Sequence, residues 1–498
     1  MELQRPESVV DPERRLSSGV AGLDDVLSGG FPEGHLYVVE GDPGTGKTTV
    51  GMQFLLAGAA AGERGLYVTL SETGAELRAS ARSHGWTLDD VDVHQLSADI
   101  GSDPDSQYTV FHPAEVELGQ TLKAVLARFD ETRPQRVVLD SLSEMRLLAR
   151  DSLRYRREIL RLKQHFAARH ATVLLLDDGT VDTSDLQLHS LAHGVVRLEQ
   201  LAPVYGAERR RLRVIKLRAT GFRGGFHDFT IRRGGLSVYP RLVAAEHSRS
   251  TPVDNASSGV PALDSLFGGG FLRSTVALLI GPSGVGKSLI ALQFAVAAAR
   301  RGEKTAAYIF DEGLAMLKTG ADGIGLDVTG TEKTGALLLR QIDPASVTPG
   351  QFVDAVRTAV EVQGTRLVVI DSLNGYLNAM PEEEHLRTHL HELSAYLRQH
   401  EVLTIMTMVQ HGFMGGMRSA VDVSYLADTV VLLRYYEFRG RIRRAISIPK
   451  KRASAHEHTI RDLVIDAHGL HVGPALEQFE GVLSGTPIYT GVADGLEE

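Results

Sequence analysis

Short runs of apolar, mostly β-branched residues recur along the chain, separated by stretches with the period of amphipathic helices. In the first half, Leu36–Glu40, Leu66–Leu70, Arg136–Asp140 and Thr172–Leu176 are nearly continuously apolar. Strands covered on both faces of a parallel sheet read this way. Helical patterns fall between them, for example over Thr48–Ala61. Buried strands alternating with helices predict a doubly wound α/β fold, each sheet mostly parallel, twisted and flanked by helices. Further on, Leu386, Leu390, Leu393 and Leu397 form one helical stripe. The nearby His385 and His389 are read as residues on that helix's wet side rather than as metal ligands.

The pattern occurs twice. Residues 18–55 (SGVAGLDDVLSGGFPEGHLYVVEGDPGTGKTTVGMQFL) return as residues 258–295 (SGVPALDSLFGGGFLRSTVALLIGPSGVGKSLIALQFA), offset by 240 positions. Arg136–Asp140 returns as Arg366–Asp371, and a basic strand end at Lys216–Arg218 returns at Lys450–Arg452. A repeat this long is a duplicated domain, not a solenoid unit. Domains are expected over 1–244 and 245–475, with a tail over 476–498. The polar stretch Val243–Ala256 is the expected linker.

Two glycine loops carry the chemistry. Gly41-Asp42-Pro43-Gly44-Thr45-Gly46-Lys47-Thr48 and Gly281-Pro282-Ser283-Gly284-Val285-Gly286-Lys287-Ser288 both fit G-x-x-x-x-G-K-[ST]. Glycines let successive N–H groups face one anion at the positive end of the next helix. Lys47 and Lys287 would reach the β- and γ-phosphates, while Thr48 and Ser288 would bind Mg²⁺. Thr49 and Leu289 continue the cradle. Asp140 and Asp371 end apolar strands, where a carboxylate would stand beside the metal. Glu72, and Asp311 with Glu312, follow the next strand and are candidates to activate water as general bases.

The chain has 498 residues, a formal net charge of -9 and no cysteine. Disulfides, zinc–thiolate sites and thiol catalysis are thereby excluded. The acidic balance argues against nucleic acid as a partner. Apolar runs too short to span a bilayer and a polar N-terminus lead to the expectation of a cytoplasmic protein.

Together these residues resemble the KaiC family of double-domain RecA-like ATPases. The resemblance spans about residues 14–475 and rests on SGVAGLDDVLSGGFPEG, RVVLDSLSE, the text over Gly206–Gly221, RLVVIDSLNGY and ADTVVLLRYYEFRGRIRRAISIPKKR. It implies a homohexameric ring with ATP at subunit interfaces. It also implies that Lys216 and Arg218, with Leu217 between them, and Lys450 and Arg452 reach a neighbour's phosphates. The alternation along Leu212–Arg218 suits a strand whose face turns cationic at its end, and equally a solvated edge that deters aggregation. The family pattern has two adjacent acids where water is activated: the second copy keeps Asp311-Glu312, the first has Ser71-Glu72. The family's autophosphorylated Ser-Thr pair falls on Ser424 and Tyr425, which leaves one acceptor, or an ordinary serine in a connecting segment. The leading expectation is an ATP- and Mg²⁺-dependent ring ATPase in signalling or regulation, with serine autokinase activity and an unidentified protein partner. A nucleic-acid-dependent RecA-like motor and a nucleotide-gated scaffold are the rivals.

Overall fold

The computed structural model describes residues 14–96, 113–149, 151–179, 185–202, 206–243, 254–378, 386–410, 425–452, 454–483 and 486–491. The chain divides into two compact units, Met1–Arg241 and Leu242–Glu498. Among the described residues each unit holds one nine-stranded sheet.

The first sheet is built from β1 (Leu36–Gly41), β2 (Gly65–Thr69), β3 (Val91–Gln95), β4 (Arg136–Asp140), β5 (Thr172–Asp178), β6 (Gly194–Leu201), β7 (Arg209–Leu217), β8 (His227–Arg232) and β9 (Gly235–Tyr239). Its order is β9-β8-β7-β6-β1-β5-β4-β2-β3. Pairings from β6 through β3 are parallel, while β6 to β9 form an antiparallel arm.

The second sheet comprises β10 (Val276–Gly281), β11 (Lys304–Ile309), β12 (Leu337–Gln341), β13 (Thr365–Asp371), β14 (Leu403–Val409), β15 (Thr429–Phe438), β16 (Arg441–Lys451), β17 (Arg461–Asp466) and β18 (Gly469–Ala475). Read from its antiparallel edge, the order is β18-β17-β16-β15-β10-β14-β13-β11-β12, so every strand lies where its counterpart does. These are tandem RecA-like domains, mostly parallel sheets with helices on both faces.

The apolar runs are explained by burial on both faces. On β1, Tyr37 and Val39 pack with Val50, Phe54 and Leu55 of the helix Lys47–Ala60. Leu36 and Val38 pack on the other side with Leu122 and Phe129 of the helix Pro113–Thr132 and Ile159 and Leu162 of the helix Ser152–Ala167. Successive side chains leave a strand on opposite faces, so the sequence shows no polar alternation. Each such aliphatic or aromatic burial contributes about 1.5–3 kcal/mol. In the second unit Ala277 and Leu279 face one core and Val276 and Leu278 the other. The stripe Leu386, Leu390, Leu393 and Leu397 is buried along the helix Leu386–Gln399.

Most of the expected linker lies outside the described residues. Its last two, Asn255–Ala256, already pair antiparallel with Phe271–Leu272, as Arg15–Leu16 pair with Phe31–Pro32. Part of the stretch expected as a tail also packs: Phe479–Glu480 pairs with Ile488–Tyr489, and Val482 is buried with Tyr436 and Ala445. Among the described residues no helix is long and apolar enough to cross a membrane.

Candidate functional site

Each glycine loop joins the end of a central strand to a helix: β1 to Lys47–Ala60, and β10 to Lys287–Arg300. Gly46 and Gly286 sit at φ 101° and 108°, in the left-handed region. A Cβ on Gly46 would stand 2.5 Å from Ile231 Cδ1 on β8, and one on Gly286 would meet Ile465 on β17 in the same way. Only glycine allows both the dihedral and the close approach. Neither helix start carries a side-chain cap, so its first N–H groups are left facing the loop, as an anion site requires.

Both loop lysines are buried, and their ammonium groups fold back into the loop. Lys47 Nζ donates to the carbonyls of Gly41 (2.7 Å) and Asp42 (3.0 Å), and Lys287 Nζ to those of Gly281 (3.0 Å) and Pro282 (2.7 Å). Burial lowers the Lys287 pKa to about 8, against the opposing pull of Asp371. In the first unit Lys47 also pairs with Asp178 Oδ1 at 2.9 Å.

Asp140 and Asp371 end β4 and β13 beside the loops, both buried. Thr48 Oγ1 donates to Asp140 Oδ2 at 2.9 Å, and Ser288 lines the same cavity as Asp371, where its hydroxyl favours the ionised carboxylate. A hydroxyl and a carboxylate sharing one spot supply the hard oxygens that Mg²⁺ takes alongside water and phosphate. Burial raises the pKa of Asp140, opposed by its bonds from Tyr67 and Thr48 and by Lys47. It raises that of Asp371 too, opposed by Ser288, Thr407 and Lys287. A buried carboxylate short of positive charge is what a divalent cation would satisfy, so these residues fit the metal.

Glu72 and Glu312 follow β2 and β11, half-buried at the same end of each sheet. Burial raises the Glu72 pKa, helped by Asp140 and then Glu76. Burial followed by Asp371 does the same to Glu312. Asp311 is engaged differently: its Oδ2 accepts from the Ser372 hydroxyl. Gly284, Gly286, Lys287, Ser288, Leu289, Asp311, Glu312 and Asp371 line one cavity of about 480 Å³, while Val285 is buried beneath the loop. In the first loop Thr45 Oγ1 closes the turn onto Asp42 O at 2.8 Å, and Thr49 is buried behind it.

The two strand-end basic groups occupy equivalent positions, since Val195 pairs with Lys216 and Val430 with Lys450. Lys216 Nζ donates to His189 O (2.5 Å) and Ala192 O (2.9 Å), and Arg218 to Ser190 O (2.7 Å). They thus cap carbonyls at the end of the helix Asp185–Leu191. Leu217 is buried between them, and Arg452 lies 3.8 Å from Asp428. His189 also contacts Glu40, the residue before the first loop, at 2.7 Å.

The KaiC ATPase family matches over residues 16–243 and again over 256–477, one match for each unit. The chain belongs to the KaiC family. It is 27% identical over 490 residues to "Circadian clock protein KaiC3" of Synechocystis sp., covering 97% of this chain and 96% of that one. It is 30% identical over 485 residues to "Circadian clock oscillator protein KaiC" of Synechococcus elongatus, covering 95% and 92%. As a KaiC-family member it is a tandem ATP-binding ATPase.

Three residues at these KaiC-type sites escaped the sequence reading: Tyr67, Thr407 and Asp178. Tyr67 and Thr407 are strand residues that look like ordinary core positions, and Asp178 ends an apolar run as many turn residues do. Ser424 lies outside the described residues.

Proposed function

We propose that the chain is a homohexameric Mg²⁺-dependent ATPase that acts in signalling or regulation and phosphorylates itself on Ser424. Its working parts are the domains 1–244 and 245–475 with the tail 476–498. One observation carries the reading: a buried loop lysine, a hydroxyl–carboxylate pair and a half-buried glutamate converge at the same end of both sheets.

The loop N–H groups and Lys47 or Lys287 hold the β- and γ-phosphates and orient them for in-line attack. Thr48 with Asp140, and Ser288 with Asp371, would hold Mg²⁺, which when bound neutralises charge on the phosphate oxygens. Glu72 or Glu312 accepts the proton of the attacking water as its oxygen bonds to the γ-phosphorus and the bond to the leaving ADP breaks. Asp311, tied to Ser372, holds the local charge beside Glu312. Lys216 and Arg218, and Lys450 and Arg452, bring further positive charge to a neighbour's phosphates once the ring closes. In the second site the Ser424 hydroxyl replaces water as nucleophile. The relatives named as circadian clock proteins support a regulatory role, and an unidentified protein partner belongs to the same reading.

The test is one experiment on the full-length protein with Mg-ATP carrying a labelled γ-phosphate, with and without single-stranded DNA. Phosphate release and label on the chain are both measured. DNA-independent release that disappears in Lys47→Ala/Lys287→Ala, with label on Ser424, is the expected result. Release without label removes the kinase. Turnover surviving the double substitution, or strong stimulation by DNA, overturns the reading in favour of another site or a nucleic-acid motor.

A further inference from the structure

The two loop mouths differ in the residue that the neighbouring strand sets against them. β5 lies between the loop strand β1 and the metal-site strand β4, and in its register Gly41 faces Asp178. In the second unit Gly281 faces Val409 instead. Asp178 therefore brings a carboxylate to the mouth of the first loop, where the second presents an isopropyl group.

That carboxylate is held in place. Its Oδ1 lies 2.9 Å from Lys47 Nζ, and Ser143 Oγ donates to its Oδ2 at 3.1 Å. The Asp178 N–H in turn donates to Ser143 Oγ at 3.2 Å. The counterpart of Ser143 is Asn374, whose amide binds only backbone: Asn374 Oδ1 accepts from the Val409 N–H (2.7 Å), and its Nδ2 donates to Val409 O (3.2 Å). The third residue past the end of β4 or β13, Ser143 or Asn374, thus differs in step with the residue at the loop mouth. One pair anchors a charged side chain and the other a neutral strand end.

Lys47 is the group that would meet the β- and γ-phosphates. We infer that Asp178 is a selectivity residue that sets the first site's preference between ATP and ADP. With ADP bound, the Asp178 carboxylate keeps its pair with Lys47 in the space the γ-phosphate would fill. With ATP bound, carboxylate and γ-phosphate compete for one ammonium, and like charges a few ångströms apart repel. The second site, with Val409, carries no such competitor. The first site therefore favours the diphosphate more than the second does, and releases ADP more slowly. The inference rests on the ATPase reading of the first site.

The experiment measures equilibrium binding of Mg-ADP and the non-hydrolysable analogue Mg-AMP-PNP to the full-length chain. The Lys287→Ala background isolates the first site, and Lys47→Ala isolates the second. Asp178→Asn keeps the Ser143 contacts and removes the charge. It should raise the first site's preference for the triphosphate analogue by about tenfold, the order expected for a partly screened charge pair. Val409→Asp should lower the second site's preference, and it reads the same effect should Asp178→Asn fail to fold. An unchanged or reduced preference in Asp178→Asn, or no effect of Val409→Asp, overturns the inference alone. Absence of nucleotide binding by the Lys287→Ala chain itself overturns the ATPase reading of the first site, and the inference with it.

Discussion

Tyr67 and Thr407 perform one task from opposite sides of the strand that ends in the buried aspartate. Tyr67, on β2, donates its hydroxyl to Asp140 Oδ2 at 2.5 Å, and Thr407, on β14, donates to Asp371 Oδ1. The position corresponding to Tyr67 in the second sheet is Ala307, and that corresponding to Thr407 in the first is Leu176. Besides the loop hydroxyl, each unit therefore supplies its buried aspartate with one hydroxyl from a flanking strand, and the strand differs between the units.

A bond to a charged acceptor contributes about 1.5–3 kcal/mol, and 1.4 kcal/mol is about tenfold in a binding constant. Tyr67→Phe should raise the magnesium concentration for half-maximal first-site turnover by roughly tenfold, and Thr407→Val should do so at the second. Magnesium titrations of ATPase activity, each with the other loop lysine replaced, read this out. Wild-type magnesium dependence in both variants would refute the assignment.

As the proposed bases, Glu72 and Glu312, both with raised pKa values, should give the turnover an acid limb. A base must be deprotonated to work, so kcat/KM should fall on acidification at a pH above the ordinary glutamate value of about 4.3. Glu312→Gln, with Lys47→Ala to isolate its site, should slow turnover by about 10²–10⁴-fold and abolish the limb. Retention of the limb would assign it to another group.

His227 predicts how the first unit responds to acid. It is buried, its Nδ1 accepts from the Arg241 N–H (2.9 Å), and its Nε2 lies 2.9 Å from Arg223 O. Burial lowers its pKa to about 4, aided by the Arg223 and Arg241 charges. The unfolded chain takes up this proton near pH 6.5, so the contribution is whole above that value and is lost as the pH falls toward about 4. The loss amounts to at most about 3 kcal/mol. His227→Gln should flatten the pH dependence of first-unit melting between those limits, measured by calorimetry. An unchanged slope would show that other groups carry it.

The proposed reach of Lys216 across a subunit boundary predicts complementation. Lys216→Ala chains keep an intact loop, and Lys47→Ala chains keep the cation. With Lys287→Ala in both to silence the second site, mixed assemblies should regain first-site turnover that each variant lacks alone. Cations of this kind contribute about 10³-fold or more to phosphoryl transfer. Mixtures no more active than the sum of their parts would place Lys216 in its own chain's structure, where it already caps the His189 and Ala192 carbonyls.

Much of this was readable from residues alone because it depends on local pattern. Continuous apolar runs such as Arg136–Asp140 marked strands buried on both faces, and the 240-residue offset of Lys47 and Lys287 marked the duplication. Thr48 with Asp140 was legible because a loop motif and a strand-ending acid each have a spacing rule. The hydroxyl of Tyr67 was not, because a tyrosine inside a strand looks the same whether its ring merely packs or its oxygen reaches a carboxylate two strands from the loop. Asp178 was hidden for a related reason: its meaning depends on β5 lying between β1 and β4, which follows from sheet order rather than from chain order.

The strand-for-strand correspondence of the two sheets makes the molecule its own reference protein. Nearly every position in one half has an address in the other, within the same polypeptide, buffer and sample. Expression level, concentration and solvent cancel when a substitution is compared with its twin. What survives such a comparison belongs to addresses where the copies part, among them 67 against 307, 176 against 407, and 178 against 409.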